Sequence, residues 1–255
     1  MKTLVLGDIH GRKCWKDIIE SENFDKIVFL GDYVSSHEDI YCWEQIDNLI
    51  KILEYKEKNR DSVVLLRGNH DVQHLTGDTY VSEYDREVGE WMYDNRKRFL
   101  DDTQWVYIDD DTYPGVVFSH AGISQKWMES CDYESFDEIN ESTILQDFRF
   151  RPCKLSDYDG SSVTQPPTWI RPWTLDSCAV SGKIWIVGHT QFKPGIIDLY
   201  DYARKEFPND PTMWYKNHIW CCDALGLGQY LVIEPENHFI AKSLSDPHIK
   251  TPTKV

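Results

Sequence analysis

The chain lacks a long apolar run. Its 255 residues contain no stretch of 18 apolar residues, so no segment reads as a membrane-spanning helix. Met1-Lys2-Thr3-Leu4-Val5-Leu6-Gly7 is too short in apolar run for a signal peptide. The seven cysteines, at 14, 42, 131, 153, 178, 221 and 222, include no C-x-x-C pair. An odd, scattered set excludes a secreted disulfide scaffold and a zinc ribbon. Positive charge is scarce as well: 27 Lys and Arg stand against 43 Asp and Glu, a net charge of −16. Such a chain repels a polyphosphate backbone, which argues against nucleic acid as a partner but leaves room for phosphate bound through metal ions. There is no internal repeat, low-complexity tract or linker. These absences predict a cytoplasmic protein with no membrane partner. They also predict one domain over residues 1–243, followed by a frayed tail, 244–255, broken by Pro247 and Pro252.

What is present suits an α/β domain. Hydrophobic residues make up 41% of the chain, enough for a real core, and ten Trp raise the aromatic share to 13%. Leu4-Val5-Leu6, Lys26-Ile27-Val28-Phe29-Leu30 and Ser62-Val63-Val64-Leu65-Leu66 read as short buried strands. Between them, residues 12–21 and 38–58 have helical spacing, with Ile46, Leu49, Ile50 and Leu53 on one stripe. Strand and helix alternating in this way predict a parallel sheet with right-handed crossovers.

Each of these strands ends in a glycine followed by groups that bind cations. The first runs into Gly7-Asp8-Ile9-His10-Gly11, where Asp8 and His10 are two apart and share a side of extended backbone. The second ends in Gly31-Asp32-Tyr33-Val34 and the third in Arg67-Gly68-Asn69-His70-Asp71. Carboxylate, imidazole and amide oxygen at the carboxyl ends of parallel strands form a donor set for a borderline divalent ion. Two more strands, Val116-Val117-Phe118-Ser119 and Trp185-Ile186-Val187, run into His120-Ala121-Gly122 and Gly188-His189-Thr190.

The order GDIHG, GDYV, RGNHD, SHAG, GHT resembles the metallophosphoesterase, or calcineurin-like, family over about residues 4–190. Cys222-Asp223-Ala224-Leu225-Gly226-Leu227-Gly228 is similar to a turn of its bacterial-type Ser/Thr protein phosphatases. Dinucleoside tetraphosphatases are the other near branch. The resemblance implies an αββα sandwich of two mixed sheets flanked by helices. From residue 194 on, four alternating stretches would supply antiparallel strands of the second sheet. Residues 134–147 read as a helix capped by Glu134 and Asp137, and 148–182 as a loop or lid. That loop holds Phe148-Arg149-Phe150-Arg151-Pro152 and the Trp169-Ile170-Arg171 element.

By the same resemblance Asp8, His10 and Asp32 would hold one metal, and Asp32, Asn69, His120 and His189 a second. A neutral amide and three histidines keep such a site electropositive. Mixed N/O ligation suits Mn²⁺ first, with Fe or Zn²⁺ as alternatives, better than Mg²⁺ or Ca²⁺. The reaction implied is attack of a metal-bridging hydroxide on a phosphorylated substrate, a phosphoprotein or a small phosphoester. Arg67 would clamp phosphate, His70 would be the general acid, and Asp71 belongs to the same catalytic loop.

The sequence departs from the phosphatase pattern G-D-Y-V-D-R-G at Ser35 and Ser36, which stand where an orienting Asp and a second clamping Arg are expected. Arg171 is then the candidate second clamp, with Arg12 and His37 as weaker ones, and a carboxylate from the 37–39 or 71 region is expected to orient His70. A phosphomonoesterase of protein-phosphatase type is the first reading. A phosphodiesterase or dinucleoside polyphosphate hydrolase is the alternative enzyme. A catalytically silent scaffold is the alternative of another class.

Overall fold

The computed structural model describes residues 1–79, 82–150 and 159–244. Residues 151–158 of the expected lid, Arg151 and Pro152 among them, and all but the first residue of the expected tail lie outside the described residues. The first half runs β1 (Thr3–Leu6), α1 (Trp15–Ser21), β2 (Lys26–Phe29), α2 (Cys42–Lys58), β3 (Val63–Leu65), α3 (Asn69–Thr76), α4 (Arg86–Asp94) and α5 (Arg96–Asp102). It continues with β4 (Val106–Ile108), β5 (Val116–Ser119), α6 (Gln125–Ser130) and α7 (Phe136–Glu141). The rest is α8 (Pro172–Cys178), β6 (Ile184–Val187), β7 (Ile197–Asp198), α9 (Leu199–Glu206), β8 (Ile219–Cys221), β9 (Gln229–Glu234) and β10 (His238–Ser243).

Two five-stranded sheets result, ordered β10-β9-β1-β2-β3 and β4-β5-β6-β8-β7. In the first, β1, β2 and β3 are parallel, with Leu4 opposite Ile27 and Val28 opposite Val64. In the second, β5, β6 and β8 are parallel, while β4 and β7 run antiparallel at its edges. The pleat sorts the apolar side chains. Leu4, Leu6 and Phe29 join Ile18, Leu49 and Leu53 under the helices. Val5, Val28 and Val64 meet Phe118 and Ile186 between the sheets. Among the described residues the six cysteines are unpaired, and no helix is long and apolar enough to cross a membrane.

Four expectations need correcting. The C-terminal strands do not all build the second sheet: β9 pairs antiparallel with β1, and β10 with β9, so both extend the first. Only β7 and β8 join the second sheet, and β8 is parallel to β6. Hydrophobic alternation shows that a segment pairs on a half-buried surface, not which open edge receives it.

The expected 38–58 helix starts at Cys42, because Tyr41 is extended at φ −62° and ψ 151°. The expected 134–147 helix stops at Glu141, and its cap is the Ser135 hydroxyl, which accepts from Glu138 N at 3.2 Å; only Asp137 of the two acids lies in its first turn. The 148–182 stretch, finally, is not all loop: it contains α8, opened by Pro172, whose missing N–H costs nothing at a helix start.

Candidate active site

Six parallel strands from two sheets deliver their carboxyl ends to one place. Asp8 and His10 follow β1, Asp32 follows β2, and Asn69 and His70 follow β3. His120 comes after β5, His189 after β6 and Asp223 after β8. The loops fold back sharply there. His10, Asp32 and His189 have φ of 46°, 51° and 60°, a left-handed conformation that non-glycine residues rarely keep unless the surrounding structure holds it. The preceding glycines are needed for close approach: a Cβ on Gly68 would sit 2.1 Å from Asp32 Oδ1, and one on Gly188 2.1 Å from Asp8 Oδ1.

Two clusters of donor atoms share Asp32, and His10, His37 and His70 form a further one. Asp8, His10 and Asp32 present ligand atoms within 4.8 Å of one another, and so do Asp32, His120 and His189. Asp32 Oδ2 is 3.4 Å from His120 Nε2, and Asp8 Oδ2 is 3.8 Å from His10 Nε2. Asn69 Oδ1 stands 2.9 Å from both His120 Nε2 and His189 Nδ1.

The outer nitrogen of each histidine is tied to a backbone carbonyl: His10 Nδ1 to Val34 at 3.1 Å, His120 Nδ1 to Leu30 at 2.8 Å, and His189 Nε2 to Trp169 at 3.1 Å. A carbonyl only accepts, so the ring proton sits on the outer nitrogen and the inner one keeps its lone pair. The Asn69 amide oxygen therefore faces two imidazole lone pairs. Three acceptors in van der Waals contact require positive charge among them. A divalent cation supplies it, and so does a proton on His120. Burial opposes that proton, but Asp32 and Asp8 outweigh burial and push the His120 pKa up to about 10.

The other charges follow the same logic. Burial first, then Asp223, holds the Asp8 carboxyl well above its ordinary range. Burial also opposes the Asp32 charge, but His120, His70 and His10 prevail and keep it below the usual carboxylate range. Burial lowers His10, and burial with Arg171 and His120 lowers His189. His70 is pushed down to about 3, chiefly by burial. The clusters open onto a cleft of about 430 Å³ lined also by Arg12, His37, Ser82, Trp169, Arg171 and Asp223.

Several expected residues meet there and some do not. Asp8, His10, Asp32, Asn69, His120, His189, His70 and Arg171 are together. Arg171 donates to His189 O at 2.9 Å and to Thr190 Oγ1 at 3.0 Å, so the Trp169–Arg171 segment grips His189 from two sides.

Arg67 is not in the cleft. It is buried on the helix side over the Trp105 ring at 4.6 Å, donating from Nε to Thr103 Oγ1 and from Nη2 to the Leu100 carbonyl, both at 2.7 Å, and to the Thr103 carbonyl. Its place as a phosphate clamp is thereby corrected: strand parity carries Val63, Leu65 and then Arg67 to the helix-covered face, whereas Val64 and Leu66 face the other sheet.

Asp71 does not orient His70 either. Its carboxylate accepts from Gly68 N, Asp32 N and Tyr33 N at 2.8, 2.9 and 3.0 Å, so it staples the β2 loop to the β3 loop. Burial and then Asp32 push its pKa up to about 7. The 37–39 acids fare no better: Glu38 accepts from Arg12 at 2.7 Å. The group at His70 Nδ1 is Gln73, at 3.0 Å. Ser36 leaves no open clamp position, since its hydroxyl accepts from Glu38 N at 3.0 Å and its own N donates to Gln45.

Sequence reasoning left Gln73, Ser82 and Asp223 out of the site. Asp223 was within reach through its glycine turn, and Gln73 through its i+3 spacing from His70.

A sequence model described as calcineurin-like phosphoesterase matches residues 1–193. The chain belongs to that family, whose members are metal-dependent hydrolases of phosphoesters. Solved structures share the architecture. A cold-active protein-tyrosine phosphatase of a psychrophilic Shewanella species superposes with a TM-score of 0.59 at 18% identity, over 94% of this chain and 77% of that one. A Saccharomyces cerevisiae protein serine/threonine phosphatase, described as similar to human phosphatase PP5, gives 0.56 at 12% identity, over 98% and 82%.

Proposed function

We propose that this phosphoesterase hydrolyses phosphate monoesters, carried by phosphoproteins or small molecules, at a dinuclear metal centre. Asp8, His10 and Asp32 would hold one ion, and Asp32, Asn69, His120 and His189 the other. The observation that carries the reading is the pair of clusters sharing Asp32, with three imidazole lone pairs turned inward by carbonyls behind them. The nitrogen-rich donor set favours Mn²⁺, then Fe or Zn²⁺. Bound there, the ions would supply Lewis-acid activation of water and of a phosphate oxygen.

The chain's own residues do the rest. Arg171, anchored through one nitrogen, keeps the remainder of its guanidinium for a phosphate oxygen. His70 faces the departing oxygen as its hydrogen donor. Asp71 keeps the Asp32 backbone in its left-handed turn through the N–H groups of Asp32 and Tyr33.

A second reading, a phosphodiester or dinucleoside polyphosphate substrate, is favoured by one observation. With Arg67 directed elsewhere and Arg12 committed to Glu38, little free cation remains for a dianion. The test is hydrolysis of 4-nitrophenyl phosphate against bis(4-nitrophenyl) phosphate on protein of measured metal content. A faster monoester is expected. His70→Ala should keep its metal and lose about two to three orders of magnitude in turnover, the worth of one donor to a developing oxyanion, whereas Asn69→Ala should lose metal. Metal stripped by His70→Ala would make His70 a ligand and overturn the assignment.

A further inference from the structure

Gln73 lies one helical turn after His70 on α3 and is 1% exposed. Its amide nitrogen is 3.0 Å from His70 Nδ1, 3.0 Å from the Ser82 carbonyl oxygen and 3.2 Å from Ser35 Oγ. The carbonyl can only accept, which fixes the nitrogen, rather than the oxygen, on this side of the amide. One N–H serves Ser82 and the other points at His70 and Ser35. His70 Nδ1 therefore accepts, its ring hydrogen sits on Nε2, and Nε2 is the nitrogen left for the cleft. The Gln73 oxygen is buried with no partner among the described residues. A buried acceptor left without a donor is costly, and it persists here with the other end of the amide committed to three neighbours. No carboxylate takes this position, because Asp71 is turned to the backbone of Gly68, Asp32 and Tyr33.

We propose that Gln73 is the positioning residue of this site, holding His70 with Nε2–H toward the cleft, and that it thereby selects substrates whose departing oxygen is stable as an anion: aryl phosphates and phosphoanhydrides rather than alkyl phosphates. The selectivity rests on the reading of His70 as the group facing the departing oxygen; the positioning does not. A carboxylate behind the ring would welcome a second proton on Nδ1. An amide N–H there opposes it, since two N–H groups would meet head to head. His70 then offers the departing oxygen a hydrogen bond, not a transferable proton. In the hydrolysis, the oxygen of water bonds to phosphorus as the ester P–O bond breaks, and the bonding electron pair leaves on the departing oxygen. The protons of the water remain with the phosphate product or pass to solvent. A phenoxide or a phosphate departs under these terms. An alkoxide needs a full proton, which this ring gives only by becoming an imidazolate.

Two readouts test this separately. In Zn²⁺-loaded protein carrying ¹⁵N-labelled histidine, with His70 assigned by its loss in His70→Ala, the ring should show the Nε2–H form. Gln73→Met, close in size, should shift it toward a mixture of forms. An Nδ1–H ring in the native protein, or an identical ring spectrum in Gln73→Met, overturns the positioning role whatever the activity. In kinetics, kcat on 4-nitrophenyl phosphate should exceed kcat on glycerol phosphate by at least 100-fold. Gln73→Glu should narrow that ratio at least tenfold with KM for either substrate within a factor of three. A ratio unmoved in Gln73→Glu, despite a changed ring spectrum, overturns the selectivity. If neither ester is hydrolysed while the spectra behave as stated, the esterase reading fails and the positioning stands.

Discussion

Arg67 and Arg171 both stack on a tryptophan and both donate to backbone carbonyls, yet only Arg171 lines the cleft. The difference has measurable consequences. Arg67→Lys removes a planar fork that meets Thr103 and the Leu100 carbonyl, and a lysine cannot replace it. It should cost about 2–3 kcal/mol in urea unfolding, the worth of one hydrogen bond from a charged donor that the ammonium does not replace, with KM unchanged. A raised KM at full stability would return Arg67 to the clamp. Arg171→Ala should raise KM for a monoester about tenfold, the worth of one charge-assisted hydrogen bond, and for a diester less, since only the monoester carries the second charge. Equal effects on both esters would reduce Arg171 to an anchor of His189. That Asp8, His10, Asp32, Asn69, His120 and His189 meet in one place was legible in the sequence, because glycine followed by a donor residue recurs at strand ends, where α/β chemistry sits. The facing of Arg67 was legible in principle, since β3 parity extends to it. Gln73 was harder to see, because nothing in its residue type marks it as the partner of His70 until α3 places it one turn on.

At the scale of elements, the sequence resolved the first two crossovers and missed how the chain closes. Apolar periodicity specifies a buried face, and β1, β2 and β3 follow it. Which sheet takes the last two strands depends on which edge is open once α1 and α2 are packed, and that information is not local. Glu22, just beyond α1, marks the closure. Its carboxylate accepts from Lys2 at 2.9 Å, Lys242 at 2.6 Å and Tyr230 OH at 2.9 Å, joining α1 to β1, β10 and β9. Burial works against the charge, but these three partners prevail and hold the pKa down to about 2 from an ordinary 4.5. A depressed folded-state pKa gives stability that is fully present above the unfolded value and is lost as pH falls through the folded one. Glu22→Gln should therefore destabilise by about 1 kcal/mol at pH 7, as for a partly buried ion-pair network. The gap between variant and native protein should close as pH drops from 4.5 toward 2. Urea midpoints at pH 7, 4 and 3 decide it, and a gap that widens with acid would refute the assignment.

At the scale of the molecule, the cleft is a seam. Asp8, His10, Asp32 and Asn69 hang from the first sheet, and His120 and His189 from the second. Other polar contacts join the sheets as well. One is the Tyr113 hydroxyl beside β5, which lies within hydrogen-bond distance of Thr3 Oγ1 on β1 and the Ile233 carbonyl on β9. Ions held by Asp32, Asn69, His120 and His189 would bind donors from both sheets and no unfolded chain, so their affinity becomes folding stability. Asp8 and Asp32 are buried at this seam and Asp223 half-buried, so a cation there would offset negative charge that burial disfavours. At 100 to 1,000 times its Kd, one ion adds about 2.7–4.1 kcal/mol. For a chain of this size each kcal/mol moves Tm by roughly 2–4 °C. Adding Mn²⁺ to chelator-treated protein should thus raise Tm by roughly 5–16 °C. Asn69→Ala, which removes one donor from the seam, should show a visibly smaller rise, while Arg67→Lys, destabilised elsewhere, should show the full one. A Tm indifferent to Mn²⁺ and chelator in the native protein would mean that no ion ties these sheets together.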